Sequence, residues 1–303
     1  MSEFLNLLAA GLTSGAIYGI FGACLAVWFR VSNILNLAVG DFAMLGAIGT
    51  AVLAQNDGLP FLAAIVVDLA AVGIIAWLFD RLVLHFAFDR PAGGAGQAGP
   101  VGAHGIVGVF FYTFGLSLVL EGVVRATIGT DVYGAPSIWP GPAVKIADFH
   151  VQRAGVLVIG LAIVAGLGLW AYLRFTVSGR AASACGESSL GSRIVGIDSG
   201  LFRRRIFIMT AVLAALFGIV ESPLSGFTYS SGPTISLIGV VAAGFAAFRK
   251  PGRAVVAGLA IGVAEAMLGG YVSTSYDDVL LYAVLFGIII VRPEVLGLRA
   301  EPA

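Results

Sequence analysis

The amino-acid sequence predicts an all-α membrane protein, a polytopic bundle of about eight to ten transmembrane helices in which some helices are discontinuous. Of its 303 residues, 59% are hydrophobic and only 11% are charged, whereas a soluble domain carries about 25% charged residues. With 17 Lys and Arg and 17 Asp and Glu, the chain cannot form the polar exterior that a soluble protein of this length requires. Lipid must therefore be the outer solvent.

Apolar runs separated by short polar breaks recur along the chain, which we treat as a single transmembrane domain over residues 1–303. A bilayer core of about 30 Å requires roughly 20 apolar helical residues. About nine runs approach that length: Leu5–Phe29, Ala38–Ala54, Phe61–Phe79, Ile106–Ile128, Gly155–Leu173, Ile206–Val220, Ile235–Phe248, Ala254–Leu268 and Val279–Val291.

Several of these runs are short and rich in Gly and Pro, which is typical of discontinuous or re-entrant helices that line a cavity. The hydroxyl-rich stretch from Glu221 to Thr234 is the clearest segment of this kind and is expected to dip into the membrane. In the first span, Gly11, Gly15, Gly19 and Gly22 follow the small-xxx-small pattern, which favours close helix packing over any chemical role.

The positions of Lys and Arg predict the orientation, because these residues remain in cytoplasmic loops. The segment 174–205 alone contains six arginines, and Arg249, Lys250 and Arg253 form a second basic turn. The alternate connections carry acids or no charge, apart from Lys145 and Arg153. We therefore predict an external N-terminus and a cytoplasmic C-terminus.

Two segments between the predicted spans differ in composition from the other connections. Residues 91–105 are rich in Gly and Ala, which indicates a flexible cytoplasmic linker. Residues 130–150 contain Tyr133 and Trp139, and aromatic residues of this kind favour an ordered external loop at the level of the lipid headgroups.

Ionisable residues within apolar runs are the candidates for function, since they are costly in lipid and usually face a polar cavity or a partner. There are five of them: Asp41, Asp68, Glu121, Glu221 and Glu265. Each could instead reach the headgroups or bond to a neighbouring helix, and Asp68 is expected to be structural. The segment from Asn33 to Asp41 is expected on the cytoplasmic side, where capping of a helix N-terminus would explain it without a substrate.

Several classes of protein are disfavoured by what the sequence lacks. It contains no GxxxxGK[ST], HExxH, CxxC or GxSxG pattern, so neither a nucleotide site, a metal site nor a catalytic nucleophile is predicted on this chain. Cys24 and Cys185 are too few and too differently placed for a disulfide framework. The net charge of zero argues against a nucleic-acid partner.

Seven segments, taken in order, resemble the permease subunits of branched-chain amino acid ABC transporters, a family that also includes urea and short-chain amide importers. They cover nearly the full length: residues 11–18 (GLTSGAIY), 36–41 (NLAVGD), 115–120 (GLSLVL), 179–182 (GRAA) with Gly196–Ile197, 258–266 (GLAIGVAEA), 273–278 (STSYDD) and 292–297 (RPEVLG). The chain departs from the family at Leu37 and Val39, where an aromatic residue and a His are usual, and at Glu121, where a neutral polar residue is usual.

The resemblance implies half of an importer in a bacterial plasma membrane. A second permease, related but different, would complete the pathway, two cytoplasmic ATPases would bind ATP and Mg, and an external protein would deliver the solute. Within the loop 174–205, the resemblance places the contact with the ATPase at Glu187, Gly196, Ile197 and Asp198.

The candidates for the translocation pathway or its gate are Asn36, Asp41, Glu121 and Glu265. All four are proposed because they are polar groups within apolar runs, and Asp41 and Glu265 also match the family. The solute is a branched-chain amino acid or, alternatively, urea, a short-chain amide or a small organic acid. An ion-coupled secondary transporter is the alternative from another class, and an intramembrane enzyme is disfavoured because no catalytic cluster is recognisable.

Overall fold

The computed structural model describes residues 2–55, 58–85, 103–139, 141, 144–146, 149–187, 189–246, 248, 250–271, 283 and 287. Ten α-helices lie in this part of the chain: α1 (Ser2–Ser32), α2 (Val39–Gln55), α3 (Phe61–Phe79), α4 (Ala103–Thr127), α5 (Arg153–Phe175), α6 (Val177–Glu187), α7 (Ser189–Ile194), α8 (Ser199–Ser225), α9 (Ser231–Phe245) and α10 (Pro251–Tyr271). A π-helical turn, Asp80–Leu84, continues α3. A short antiparallel hairpin pairs β1 (Val144–Ile146) with β2 (Phe149–Val151).

The helices confirm the prediction of an all-α polytopic membrane protein. Eight of the nine predicted spans correspond to α1–α5 and α8–α10; the ninth, Val279–Val291, lies outside the described residues except for Ala283 and Gly287. Six of the described helices are long and apolar enough to cross a membrane. The other two, α2 with 17 residues and α9 with 15, fall short of the roughly 20 residues that a full span requires.

Two predicted segment bounds need correction. Residues 91–102 of the predicted linker lie outside the described residues, but Ala103–Gly105 already belong to α4, so the helix begins earlier than the apolar run. The stretch Glu221–Thr234 is mostly helical, because α8 continues through Pro223 to Ser225 and α9 begins at Ser231.

Helix α1 is the central element of the bundle, and its glycines bring α10 into backbone contact. A methyl group on Gly11, Gly15 or Gly19 would meet the backbone of Val263, Leu259 or Val255. From the other side, Gly258 lies against the backbone of Gly19, and Gly262 against that of Gly15. The packing role predicted for the glycine stripe is confirmed, since only residues without a side chain allow helices to approach so closely.

Helices α2 and α8 also approach each other closely at glycine residues. Gly46 abuts the backbone of Ala215, and Gly218 abuts that of Ala43. Beside this contact, the buried rings of Trp28, Phe42 and Phe207 form a cluster with centroid separations of 5.0 and 5.8 Å. Aromatic burial of this kind fixes how α1, α2 and α8 pack together.

The outward faces of α3, α4 and α5 are apolar, as lipid contact requires. The large exposed side chains include Leu62, Val66, Ile74, Phe111, Val119, Ile163 and Val164. At the ends of α3 and α5, the guanidinium groups of Arg81 and Arg174 lie 5.4 and 5.3 Å from the rings of Trp77 and Trp170. Such Arg and Trp pairs are typical of the membrane interface.

Two carboxylates have structural roles. Thr50 donates a hydrogen bond to the buried Asp68 at 3.2 Å, which confirms that Asp68 serves helix packing. The Nε of Arg204 donates to Asp80 at 2.6 Å and so joins the π-helical turn after α3 to the first turns of α8.

The segment that follows α4 is ordered where it is described. Tyr133 and Phe227 exchange two backbone hydrogen bonds of 2.8 and 2.7 Å, and the amide of Ala135 donates to the hydroxyl of Ser222 at 2.9 Å. The side chain of Gln55 donates to the carbonyl of Gly134 at 2.7 Å. These bonds fasten the predicted ordered loop over the ends of α2 and α8.

Candidate functional site

Between α1 and α2 the chain leaves helical conformation over residues 33–38. Asn33 begins this segment with a φ of 56°, a left-handed conformation that Asn adopts more readily than most residues. Near its end, the backbone N–H of Ala38 donates to Oδ1 of the buried Asn36 at 3.0 Å. Asn36 therefore closes a turn immediately before α2 rather than capping the helix itself.

The start of α2 meets the start of α9 inside the bundle. The hydroxyl of Ser236 donates to the carbonyl of Leu37 at 2.5 Å and accepts from the N–H of Gly40 at 2.8 Å. One turn further along α9, Gly239 packs on Phe21 and Leu25 of α1, so the junction lies beside the middle of α1. We call the contact of Leu37–Asp41 with Gly232–Ser236 the helix junction.

Asn36 and Asp41 are buried within the bundle, and their position at the cytoplasmic side stays a prediction. Apolar runs show where a span passes but not where its helix begins. Residues 33–38 are not helical. Gly40 and Gly232 allow the backbones at the starts of α2 and α9 to touch.

Asp41 lies at the centre of the helix junction and is fully buried. Neither of its carboxylate oxygens has a hydrogen-bond partner among the described residues. Its side chain lies against Gly232 in the first turn of α9, while Asp41 itself is in the first turn of α2. Two helix N-termini, each with partial positive charge, therefore offset the negative charge of this carboxylate.

Helix α4 presents a row of polar side chains to the non-helical segment. Thr113, Ser117 and Glu121 are spaced four residues apart and so lie on one face of the helix. The hydroxyl of Thr113 lies 3.5 Å from the carbonyl of Leu35, and Ser117 and Glu121 lie beside Asp41. Of the four predicted pathway residues, Asp41 and Glu121 thus lie close together, and Asn36 lies in the segment that leads to Asp41.

A cavity of 380 Å³ lies between α1, the beginning of α5 and the end of α8. Its polar wall comprises Asn6, Thr13, Ser14, Tyr18, Gln152, Glu221 and Ser225, and its apolar wall comprises Ala9, Ala10, Ile17, Gly155 and Leu224. Small-molecule sites commonly occupy about 300–1,000 Å³ and combine an apolar lining with a few polar groups. The cavity therefore has the size and character of a site for one small solute.

The fourth predicted pathway residue, Glu265, lies apart from the junction. Its Oε1 accepts a hydrogen bond of 3.1 Å from the hydroxyl of Tyr18, and Tyr18 lines the cavity. Glu265 is therefore a positioning residue that orients Tyr18 from the neighbouring helix α10.

The predicted ATPase-coupling residues lie between α6 and α8. Glu187 ends α6, Gly196 has a φ of 80°, and the N–H of Ile197 donates to the carbonyl of Ser192 at 2.9 Å. The carboxylate of Asp198 caps α8 by accepting from the N–H of Leu201 at 3.1 Å. Asp198 is thus engaged within the chain, while Glu187 and Gly196 are exposed.

The most exposed apolar side chains of this loop belong to residues outside the predicted ATPase-coupling set. Ile194 and Val195 are 78% and 77% exposed, directly before the turn at Gly196. Both lie in the basic segment rather than in an apolar run, so lipid does not explain their exposure. Ile194 ends α7 and Val195 follows it, so two adjacent aliphatic side chains are exposed at this point of the loop.

A direct contact joins this loop to the non-helical segment. Gly186 lies against the backbone carbonyl of Arg30, and the Nδ2 of Asn33 donates to the carbonyl of Gly186 at 2.7 Å. Through these contacts the end of α6 holds the first residue of the segment that leads to Asp41.

Thr113, Ser117 and Tyr18 are also part of the site but were not predicted. The spacing of Thr113, Ser117 and Glu121 could have identified the first two, because a polar residue at every fourth position of an apolar span indicates a polar face. Glu221 was recognised as an intramembrane acid but not assigned to the pathway. Its cavity joins segments near residues 6–18, 152–155 and 221–225, which no local pattern connects.

Over residues 7–289 the chain matches the family described as branched-chain amino acid transport system / permease component. It is 25% identical to the high-affinity branched-chain amino acid transport system permease protein LivH of Escherichia coli (strain K12), over 99% of this chain and 96% of that protein. The corresponding LivH of Salmonella typhimurium gives the same values. The permease protein BraD of Pseudomonas aeruginosa is 24% identical, over 99% of this chain and 97% of its own length.

Proposed function

Since the chain belongs to the family of branched-chain amino acid transport system permease components, we propose that it forms half of the translocation pathway of an ATP-driven importer. Its solute is a branched-chain amino acid, as the names of its relatives say of those proteins. The other half is a related permease, the energy comes from two cytoplasmic ATPases, and an external binding protein delivers the solute. The membrane is the bacterial plasma membrane, with the N-terminus of the chain outside.

The observation that carries this proposal is the helix junction. Discontinuous helices whose N-termini meet near mid-membrane, close to a buried charge, are a recurrent arrangement in transport proteins. Here α2 and α9 begin at the same place, with Asp41 between them and the polar face of α4 beside it. A protein that served only as a membrane anchor would not require a buried carboxylate inside its helix bundle.

In the mechanism that we derive, ATP binding closes the ATPase dimer and moves the loop between α6 and α8. Gly186, at the end of α6 where that loop begins, holds Asn33, so displacement of the loop and the end of α6 shifts the non-helical segment and the start of α2. The helix junction then changes its packing against α4, and the pathway switches from inward-facing to outward-facing. Hydrolysis of ATP resets the loop.

The surface formed by Ile194 and Val195 is the contact that we assign to the ATPase. Replacing both by Ser should remove most of the copurified ATPase, because the apolar area that is lost from water on docking contributes about 25 cal/mol per Å². The matched control is Val177→Ser, since Val177 is 75% exposed at the start of α6. Equal ATPase recovery from the double variant and the control would place the docking surface elsewhere.

The proposed function is tested by copurifying the chain with its ATPase, reconstituting the complex in lipid and measuring ATP hydrolysis with a panel of loaded binding proteins. Stimulation by one binding protein loaded with leucine, isoleucine or valine supports the importer and its solute. A chain that copurifies with no ATPase would contradict the proposal and favour an ion-coupled secondary transporter.

A further inference from the structure

We propose that Glu221 is the receptor for the ammonium group of the solute, within the cavity between α1, α5 and α8. The inference rests on the proposed function and names the chemistry by which this half of the pathway recognises its solute. It selects among the solute classes that the sequence left open: an amine-bearing solute fits, whereas a small organic acid does not.

The carboxyl group of Glu221 is buried and incompletely hydrogen-bonded. Its side chain is buried, with 9% of its surface exposed, and its Oε2 has no hydrogen-bond partner among the described residues. Leaving a buried carboxylate without a partner is costly. A group retained at this cost inside a membrane protein is therefore expected to meet a partner that arrives from outside the chain.

Glu221 lines a cavity of 380 Å³, one residue before Ser222, which is fixed by its bond from Ala135. Glu221 thus adjoins a residue whose side chain is held by the ordered loop after α4. A fixed carboxylate beside a space large enough for a small solute is suited to a charge-assisted hydrogen bond.

No Lys or Arg is among the lining residues, so the described wall offers no positively charged side chain to the carboxylate of an organic acid. The hydroxyl of Ser14 and the amides of Asn6 and Gln152 can bond to a polar solute, while Ile17 and Leu224 offer apolar contact. The wall therefore fits a small molecule that carries both an ammonium group and an aliphatic group.

The test is direct binding to the intact complex of permeases and ATPases, without the external binding protein. Displacement of tritiated leucine is measured with two analogues that each lack one charged group: 3-methylbutylamine, which keeps the ammonium group, and 4-methylpentanoate, which keeps the carboxylate. We expect the amine to displace leucine and the acid to fail. Equal displacement by both, or displacement by the acid alone, would overturn the inference.

The variant Glu221→Gln keeps the size of the side chain and removes its charge. We expect its affinity for leucine and for the amine to fall by roughly 10- to 100-fold, which is the range for loss of a charge-assisted hydrogen bond. Glu221→Asp should recover part of that affinity, which a purely structural role would not predict. Asp131→Asn, a change at an exposed acid in the loop after α4, is the control and should bind leucine as the wild type does.

The failures of the two proposals can be told apart. In one outcome, the wild-type complex imports leucine with ATP, and the Glu221→Gln variant elutes as the assembled complex and binds leucine with unchanged affinity. The inference about Glu221 is then wrong, while the proposed importer function is retained. If the wild-type complex imports no leucine, the proposed function fails. Binding of 3-methylbutylamine to the wild type and its loss in Glu221→Gln then still decide the role of the carboxylate.

Discussion

Asp41 is the residue on which the account of the helix junction depends. It is buried, its carboxylate has no hydrogen-bond partner among the described residues, and it lies at the first turns of both α2 and α9. Helix N-termini favour a negative charge by up to about 2 kcal/mol when the geometry is partly buried. The charge of Asp41 therefore attracts the two short helices toward one another.

Replacing Asp41 by Asn removes this attraction and keeps the volume of the side chain. We expect solute uptake to fall about five- to tenfold, because a loss of roughly 1 to 1.4 kcal/mol at the junction changes its equilibrium by that factor. Uptake is measured in proteoliposomes with the assembled complex, and Asp131→Asn is the control. Uptake at the wild-type rate would leave Asp41 with a packing role alone.

A substitution at Asn33 tests the coupling between ATP hydrolysis and solute import. Asn33→Gly allows the left-handed backbone, since Gly adopts positive φ at no steric cost, but it loses the bond from Nδ2 to the carbonyl of Gly186. We expect ATP hydrolysis to continue while the amount of solute imported per ATP falls. The two rates are measured on the same proteoliposomes. An unchanged ratio would show that the loop acts on the pathway by another route.

At the scale of elements, the close packing of α1 against α10 can be tested by adding a methyl group at their contact. Gly258→Ala places a methyl group against the backbone of Gly19 and should force the helices apart. Overpacking of this kind costs about 1–3 kcal/mol, which thermal unfolding of the purified protein in detergent would report as a lower midpoint.

The control for this substitution lies on the same helix. Gly252 has no neighbouring atom in the space that a methyl group would occupy, so Gly252→Ala should not lower the unfolding midpoint. If the two variants unfolded at the same temperature, the close approach of α1 and α10 would not limit the stability of the bundle.

The elements also show what the sequence could and could not predict. Apolar runs identify a span wherever lipid dictates composition, as for α3 and α5. The glycine spacing of α1 correctly indicated a packing face, because small residues at every fourth position have one dominant use in membrane helices. The contact between the starts of α2 and α9 was beyond prediction, since it depends on Gly40 meeting Gly232, almost 200 residues away in the chain.

At the scale of the whole molecule, three sites lie along one sequence of contacts. The exposed surface of Ile194 and Val195 is at one end, the contact of Gly186 with Asn33 follows, and the helix junction lies beside the middle of α1. The cavity with Glu221 lies toward the opposite end of the bundle, near the first half of α1. In the proposed mechanism, a movement of the basic loop therefore reaches the helix junction through the contact of Gly186 with Asn33.

The sites themselves were predicted unevenly for the same physical reason. Asn36, Asp41 and Glu121 were selected because a polar residue within an apolar run is costly wherever it lies, and their role in the pathway stays a prediction. Glu265 was identified by the same rule, but its partner Tyr18 was not, since the hydrogen bond between them joins the two ends of the chain. The cavity was not predictable because its walls come from three distant segments.

The central claim is that this permease moves its solute with energy from ATP. The most direct measurement is accumulation of labelled leucine in proteoliposomes that contain the complex and its binding protein, with ATP present or absent and with no ion gradient. Accumulation above the external concentration only when ATP is supplied is the predicted result. Accumulation that ignores ATP and follows an imposed proton or sodium gradient would contradict the account and identify a secondary transporter.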